Sequence, residues 1–157
     1  MALKRDLIRL TPEEREEFLA RGHTIYLASN GADGYPHLIA MWYAIEPDGS
    51  IVMTTFRKSQ KVANLERDPR CSLLLEEGET YDKLKGVFLR GRCEIFHDEE
   101  RTLATLAKIG ARAAGAKAPL PAAALEAMRP QARKRVTLVF RTDKTRTWDH
   151  GKLGGAY

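Results

Sequence analysis

Short runs of β-branched and aromatic residues, separated by tight turns, dominate this chain. His23–Ser29 has strand composition, and the NGADG stretch after it is a hairpin-type turn rich in residues that accept positive φ. Tyr35–Ile45 is one long aromatic and β-branched run, with Pro36 near its start, where a strand tolerates proline. Further strands are expected at Ser50–Thr55, Arg70–Glu76 and Gly86–His97, with a polar loop at Gly78–Lys85. In Arg135–Asp143, Val136, Leu138 and Phe140 alternate with Thr137, Val139 and Arg141, the pattern of a half-exposed strand. A last short strand is expected at Thr145–Trp148.

Helical signals are fewer. Thr11 is a good N-cap, Pro12 suits the first helical position, and Glu13, Glu14, Glu16 and Glu17 follow close behind. Ala-rich helices are expected over 98–115 and 120–132, and a short helix runs from Ser59 to a stop at Pro69. Six or seven short strands without regular βαβ alternation argue against a doubly wound parallel sheet. They predict a mainly β (α+β) fold, an antiparallel barrel with peripheral helices. At 157 residues, 1–157 forms one domain.

Composition narrows the class without choosing a function. No apolar run approaches the roughly 20 residues of a membrane span, and MALKRDLIRL lacks the apolar core of a signal peptide. A cytoplasmic protein with no membrane partner is therefore expected. Cys71 and Cys93 fall inside expected strands and read as core thiols. His23, His37, His97 and His150 are scattered, so no metal site is expected. Neither a GxGxxG turn nor a Walker loop occurs between strand and helix, no nucleophile–base pair is visible, and no catalytic residue is assigned. The net charge of +5 is mild. With no nucleic-acid-reading motif, it does not make nucleic acid a partner.

One local feature breaks the charge rule that the first helix obeys. Arg57, Lys58 and Lys61 crowd the start of the helix at Ser59, against the macrodipole. Thr54, Thr55, Ser59 and Gln60 add hydroxyl and amide groups within the same stretch. A bound phosphate or carboxylate would resolve the conflict, because a helix N-terminus presents unpaired N–H groups to an anion. The competing reading is that these long side chains extend into water. Two aromatic sites carry a similar choice. Either Trp42 or Tyr43 must point away from the core if the segment is a strand, which suggests a ligand groove or a dimer interface. Trp148, beside Asp149 and His150, either stacks on a planar ligand, docks on another subunit or plugs its own domain.

The order of parts in LASNGADGYPHLIAMWYAI, IVMTTFRKSQKVANLERDPRCSLLLEE, GVFLRGRCEIFHD and WDHGKL resembles the pyridoxamine-phosphate-oxidase-like split β-barrel family of flavin and deazaflavin oxidoreductases. The strand, S-x-K, short helix, DPR and strand come in the family's order, and WDHGKL is similar to the branch dependent on coenzyme F420. The resemblance implies a six-stranded antiparallel split β-barrel and a homodimer with two cofactor sites at the interface. It implies that the cofactor ring lies along Met41, Trp42 and Tyr43. Thr54 and Thr55 donate hydrogen bonds, and Arg57, Lys58, Ser59 and Lys61 hold the phosphate. Trp148 and His150 approach the ring from the second subunit. Gln60 stands where flavin-using oxidases of the family carry arginine, and the C-terminal arginine and proline signature of true pyridoxamine phosphate oxidases is absent, so vitamin B6 is not the expected substrate. The expectation is an oxidoreductase with F420, or else FMN, that exchanges a hydride with a small organic substrate. A non-catalytic flavin, F420 or haem carrier of the same fold is the alternative.

Overall fold

The computed structural model describes residues 4–154. Residues 1–3 and 155–157 of the expected domain lie outside them. Seven antiparallel strands form one strongly curved sheet, a half-barrel in the order β2-β1-β5-β6-β7-β4-β3. The strands are β1 (Thr24–Asn30), β2 (Pro36–Trp42), β3 (Ala44–Ile45), β4 (Ile51–Phe56), β5 (Arg70–Glu77), β6 (Lys85–Phe96) and β7 (Arg135–Asp149). Five helices surround it: α1 (Lys4–Leu7), α2 (Pro12–Arg21), α3 (Gln60–Arg67), α4 (Glu99–Ala113) and α5 (Ala122–Ala132). Among the described residues, no helix is long and apolar enough to cross a membrane.

The antiparallel barrel with peripheral helices expected from sequence is present, with one strand more than the six implied by the resemblance. The extra strand arises because the long run at 35–45 divides at Tyr43 into β2 and β3. Conversely, the two strands expected at the C-terminal end are the single strand β7. It survives as one element by bulging between Arg90 and Gly91 of its partner β6. Gly91 is required there, since a Cβ would stand 1.9 Å from the Arg141 carbonyl oxygen. Gly91→Ala is expected to lower stability by about 2 kcal/mol, read as a reduced denaturant midpoint at unchanged slope.

The main core fills the concave side of the sheet with Ile25, Leu27, Met53, Leu73, Leu138 and Phe140. Cys71 and Cys93 lie within it as free thiols, as expected. The first half of β7 is not half-exposed, contrary to its alternation. Residues 136–140 are all buried, because α4 covers the second face. Thr102 of α4 shares a hydroxyl hydrogen bond of 3.1 Å with Thr137, and Ile109 packs with Val139, Val52 and Ala44. A polar residue on an alternating strand marks water only when nothing polar faces it from above.

The break at Tyr43 has a definite cause. Tyr43 is buried and donates its phenol to the Leu19 carbonyl at 2.5 Å. The Arg112 guanidinium stacks 4.1 Å above its ring and donates to the Tyr43 carbonyl at 2.7 Å. It also donates to the carbonyls of Leu19 (2.5 Å) and Ala20 (2.8 Å) near the end of α2. This clamp ties α4, α2 and the β2–β3 junction together. From that point β2 continues along β1, while β3 pairs with β4 only at Ile51 and Val52.

Candidate functional site

That divergence opens the barrel. β4 pairs with β7 along its whole length, but beyond Val52 its other edge is unpaired. β2 pairs only with β1, and its free edge approaches that of β4. Two facing strand edges with unspent backbone donors and acceptors suit a flat, polar-edged molecule. Trp42 is 60% exposed beside this split and Phe56 is 55% exposed at the end of β4.

At the same end of β4 the chain turns into α3. Ser59 is the N-cap in extended conformation, yet its side chain makes no capping bond to the helix. Its hydroxyl instead lies 3.3 Å from Thr55 Oγ1. The backbone N–H groups of Gln60 and Lys61 have no acceptor among the described residues. Lys61 turns back over this open end and donates to Thr55 Oγ1 at 3.0 Å.

Arg135 completes the cluster, and it was absent from the residues assigned by sequence. It stands opposite Phe56 across β4 and β7, with its guanidinium 4.2 Å from the Phe56 ring centre. Its Nε is buried and has no hydrogen-bond partner. Burial holds the arginine below its ordinary pKa. Burial also lowers the Lys61 pKa, and the charge of Arg135 lowers it further. Neither cation has a carboxylate partner among the described residues. Two neighbouring, half-buried cations, an orphaned guanidinium N–H and an uncapped helix end all lack the same thing, an anion. A phosphate fits this donor set, since each of its oxygens accepts from N–H or O–H groups.

The other assigned residues divide clearly. Lys58 is exposed beside the cluster, and Thr54 lies half-buried next to Thr55. Arg57 is tied to the α5–β7 turn, its amide donating to the Lys134 carbonyl at 3.0 Å and its Nη2 to the Arg133 carbonyl at 3.2 Å. Gln60 points along α3 and donates to Asn64 Oδ1 at 2.9 Å. Asn64 in turn donates to Ser29 Oγ at 3.1 Å, so Gln60 supports the seating of α3 on β1. Met41 and Tyr43 are buried in the core, which leaves Trp42 as the outward member of the trio. Trp148 and His150 lie elsewhere. Twelve residues of β7 lie between Arg135 and Trp148, roughly 40 Å of extended chain. The Trp148 indole packs over Gly86, and His150 Nδ1 lies 2.9 Å from the Tyr81 carbonyl. Within one chain these two do not reach the anion cluster.

Residues 11–149 match the family model described as pyridoxamine 5'-phosphate oxidase. Among solved structures, conserved hypothetical protein Rv2991 of Mycobacterium tuberculosis is 39% identical with a TM-score of 0.88, covering 99% of this chain and 95% of that one. A structure described as an F420 reductase is 26% identical with a TM-score of 0.66, covering 86% of this chain and 98% of that one. A FAD-binding protein of Mesorhizobium loti shares the fold at 17% identity and a TM-score of 0.62, covering 88% and 92%. No curated protein sequence matches the chain.

Proposed function

The chain belongs to the pyridoxamine 5'-phosphate oxidase family, and from that premise we propose that it is an oxidoreductase binding F420, or else FMN, at the α3 anion cluster. The observation that carries this reading is the pairing of Lys61 with Arg135. Both cations are half-buried and unneutralised beside an uncapped helix N-terminus, at the mouth of a split between two free strand edges. Similarity to the F420 reductase structure, together with the WDHGKL ending, favours the deazaflavin.

In this reading Thr55, Ser59, Lys61 and Arg135 hold the phosphate, with Lys58 adding charge at the rim. Trp42 and the free edges of β2 and β4 place the ring. The bound cofactor supplies two-electron chemistry, exchanging a hydride with a small organic substrate. The residues of this chain orient the ring, exclude water from one side of it and hold positive charge near an anionic reduced form. Leu38, Ala40 and Trp42 make an apolar outer row on the edge strand β2, with Leu38 64% exposed. A second copy of the chain covers that row and supplies Trp148 and His150 of the partner subunit to the ring. Light scattering during cofactor titration tests this arrangement. A dimer saturating at one cofactor per chain supports it, and a monomer that binds with full affinity overturns it.

The lowered pKa of Lys61 gives the site a pH signature. A bound phosphate favours protonated Lys61, so its pKa is higher in the complex than in the free protein. Below the lowered free-state value affinity is flat. Above it, binding must take up a proton, and affinity falls by up to tenfold per pH unit until the complex also deprotonates. The fall is expected to begin below lysine's ordinary pKa of about 10.4. Dissociation constants of the wild type measured across that range, beside those of Lys61→Gln, check it. The variant should lack the fall.

A further inference from the structure

Two buried side-chain polar atoms have no hydrogen-bond partner among the described residues, Arg135 Nε and His37 Nδ1. The α3 cluster accounts for the first. His37 lies on β2, five residues before Trp42, and has no role in the site as described so far. Its orientation follows from the strand. Side chains alternate between faces, and Met41 is buried in the core, so Ile39 and His37 share its inward face. That face is covered at Met41 and opens along the strand, with Ile39 37% exposed. Ser29 stands directly opposite His37 on β1, but its hydroxyl accepts from Asn64 of α3 at 3.1 Å and makes no bond to the imidazole.

The free edge of β2 approaches that of β4 across the split. β3 carries the register of the two lips, with Ala44 opposite Val52 and Ile45 opposite Ile51. Counted back through the break at Tyr43, the same register sets Met41 against Thr55 and His37 against Ser59. The strands have parted there, and no ladder bond joins these residues. One lip presents Thr55, Ser59, Lys61 and Arg135 beside an uncapped helix end. The other presents His37. The two orphaned nitrogens therefore belong to opposite lips of one opening.

A buried nitrogen without a partner costs free energy until water or a ligand relieves it. We infer that His37 is the anion's partner on the β2 lip, its Nδ1–H donating to the phosphate group that Ser59, Lys61 and Arg135 hold from the other side. This rests on the reading of the α3 cluster as the cofactor site, and it gives that site a second wall. With donors on one lip alone, a phosphate sits on the end of α3 and leaves the attached ring free to turn away from the split. A contact from each lip fixes the phosphate between them and directs the ring along β2 toward Trp42. The same contact bridges two strand edges that no backbone bond joins, so the ligand braces the barrel where it is split.

The test reads the imidazole as well as the affinity. The full isotope-labelled chain is titrated with inorganic phosphate, FMN and F420, following the histidine ring nitrogens in long-range proton–nitrogen spectra beside cofactor fluorescence. Each ligand that binds should move the His37 Nδ1 resonance saturably. His37→Phe should weaken cofactor binding by about tenfold or more, and His37→Asn, whose amide lies near the Nδ1 position, should recover to within about threefold of wild type. The melting midpoint of apo His37→Phe should be unchanged or raised, because the unpartnered nitrogen is gone. Cofactor binding that leaves the His37 resonances still, unchanged affinity in His37→Phe, or a lowered apo midpoint accompanying the loss would each overturn the assignment while the cofactor reading stands. Saturable movement with inorganic phosphate, in protein that binds neither cofactor, would keep His37 at an anion site and remove the cofactor reading. No movement with any of the three ligands would overturn both.

Discussion

Replacing Lys61 and Arg135 together with alanine is expected to weaken binding of F420 or FMN a hundredfold or more while leaving the fold intact. Each side chain would make a charge-assisted hydrogen bond to the cofactor phosphate, and such bonds contribute about 1.5–3 kcal/mol apiece. Two of them amount to at least about 3 kcal/mol, which is roughly a hundredfold in Kd. The free protein behaves differently. Lys61 and Arg135 repel one another, and neither is paired with a carboxylate. Removing both therefore leaves the thermal midpoint of the apo protein unchanged or raised. A cofactor titration beside a melting curve separates the cases. Lost binding with a retained midpoint is the expected result. Unchanged affinity removes the anion cluster from the cofactor site.

Arg112→Ala is expected to lower stability by about 3 kcal/mol. The guanidinium serves three backbone carbonyls, those of Leu19, Ala20 and Tyr43, and covers the Tyr43 ring. Losing it leaves half-buried carbonyls short of a donor and opens a gap above an aromatic ring. Burial raises the Tyr43 phenol pKa, and Arg112 opposes that shift. Without Arg112, Tyr43 should ionise at still higher pH, a spectroscopic readout independent of unfolding. Because the clamp sits where β2 parts from β3, the same change should loosen the split proposed to receive the ring. Urea denaturation measures the first effect, and Arg112→Lys, which keeps one donor but not the stack, should recover only part of it.

Much of this architecture was legible in local patterns. Thr11 is the N-cap expected from sequence, and Glu14 completes a capping box by accepting from the Thr11 amide at 2.7 Å. Ser59 was readable as an N-cap, and the cations after it as a breach of the dipole rule. The choice between Trp42 and Tyr43 was readable as a choice, since a strand has two faces, but its outcome depended on Arg112, which is distant in sequence. Arg135 was missed for the same reason. It stands at the start of the strand expected at Arg135–Asp143, and nothing local pairs it with Phe56. Only the β4–β7 register brings it to Lys61. Gln60 went the other way: proximity placed it in the phosphate set, whereas its amide is spent on Asn64. The buried face of β7 was hidden because two threonines that satisfy each other look, in sequence, like residues facing water.

The departure at Gln60 bears on cofactor choice. With Gln60 turned along α3, Arg135 supplies a second cation from the neighbouring strand. The site thus has the charge for a phosphate without the arginine that flavin-using oxidases carry next to the helix start. In the proposed site, the choice of ring would fall to β2, β4 and a second copy of the chain.

Titration of the apo protein with F420 and FMN in parallel, followed by cofactor fluorescence, tests the central claim most directly. The account predicts saturable binding of at least one, tighter for F420, at one cofactor per chain. Binding of neither, by protein that is folded and dimeric, would contradict it.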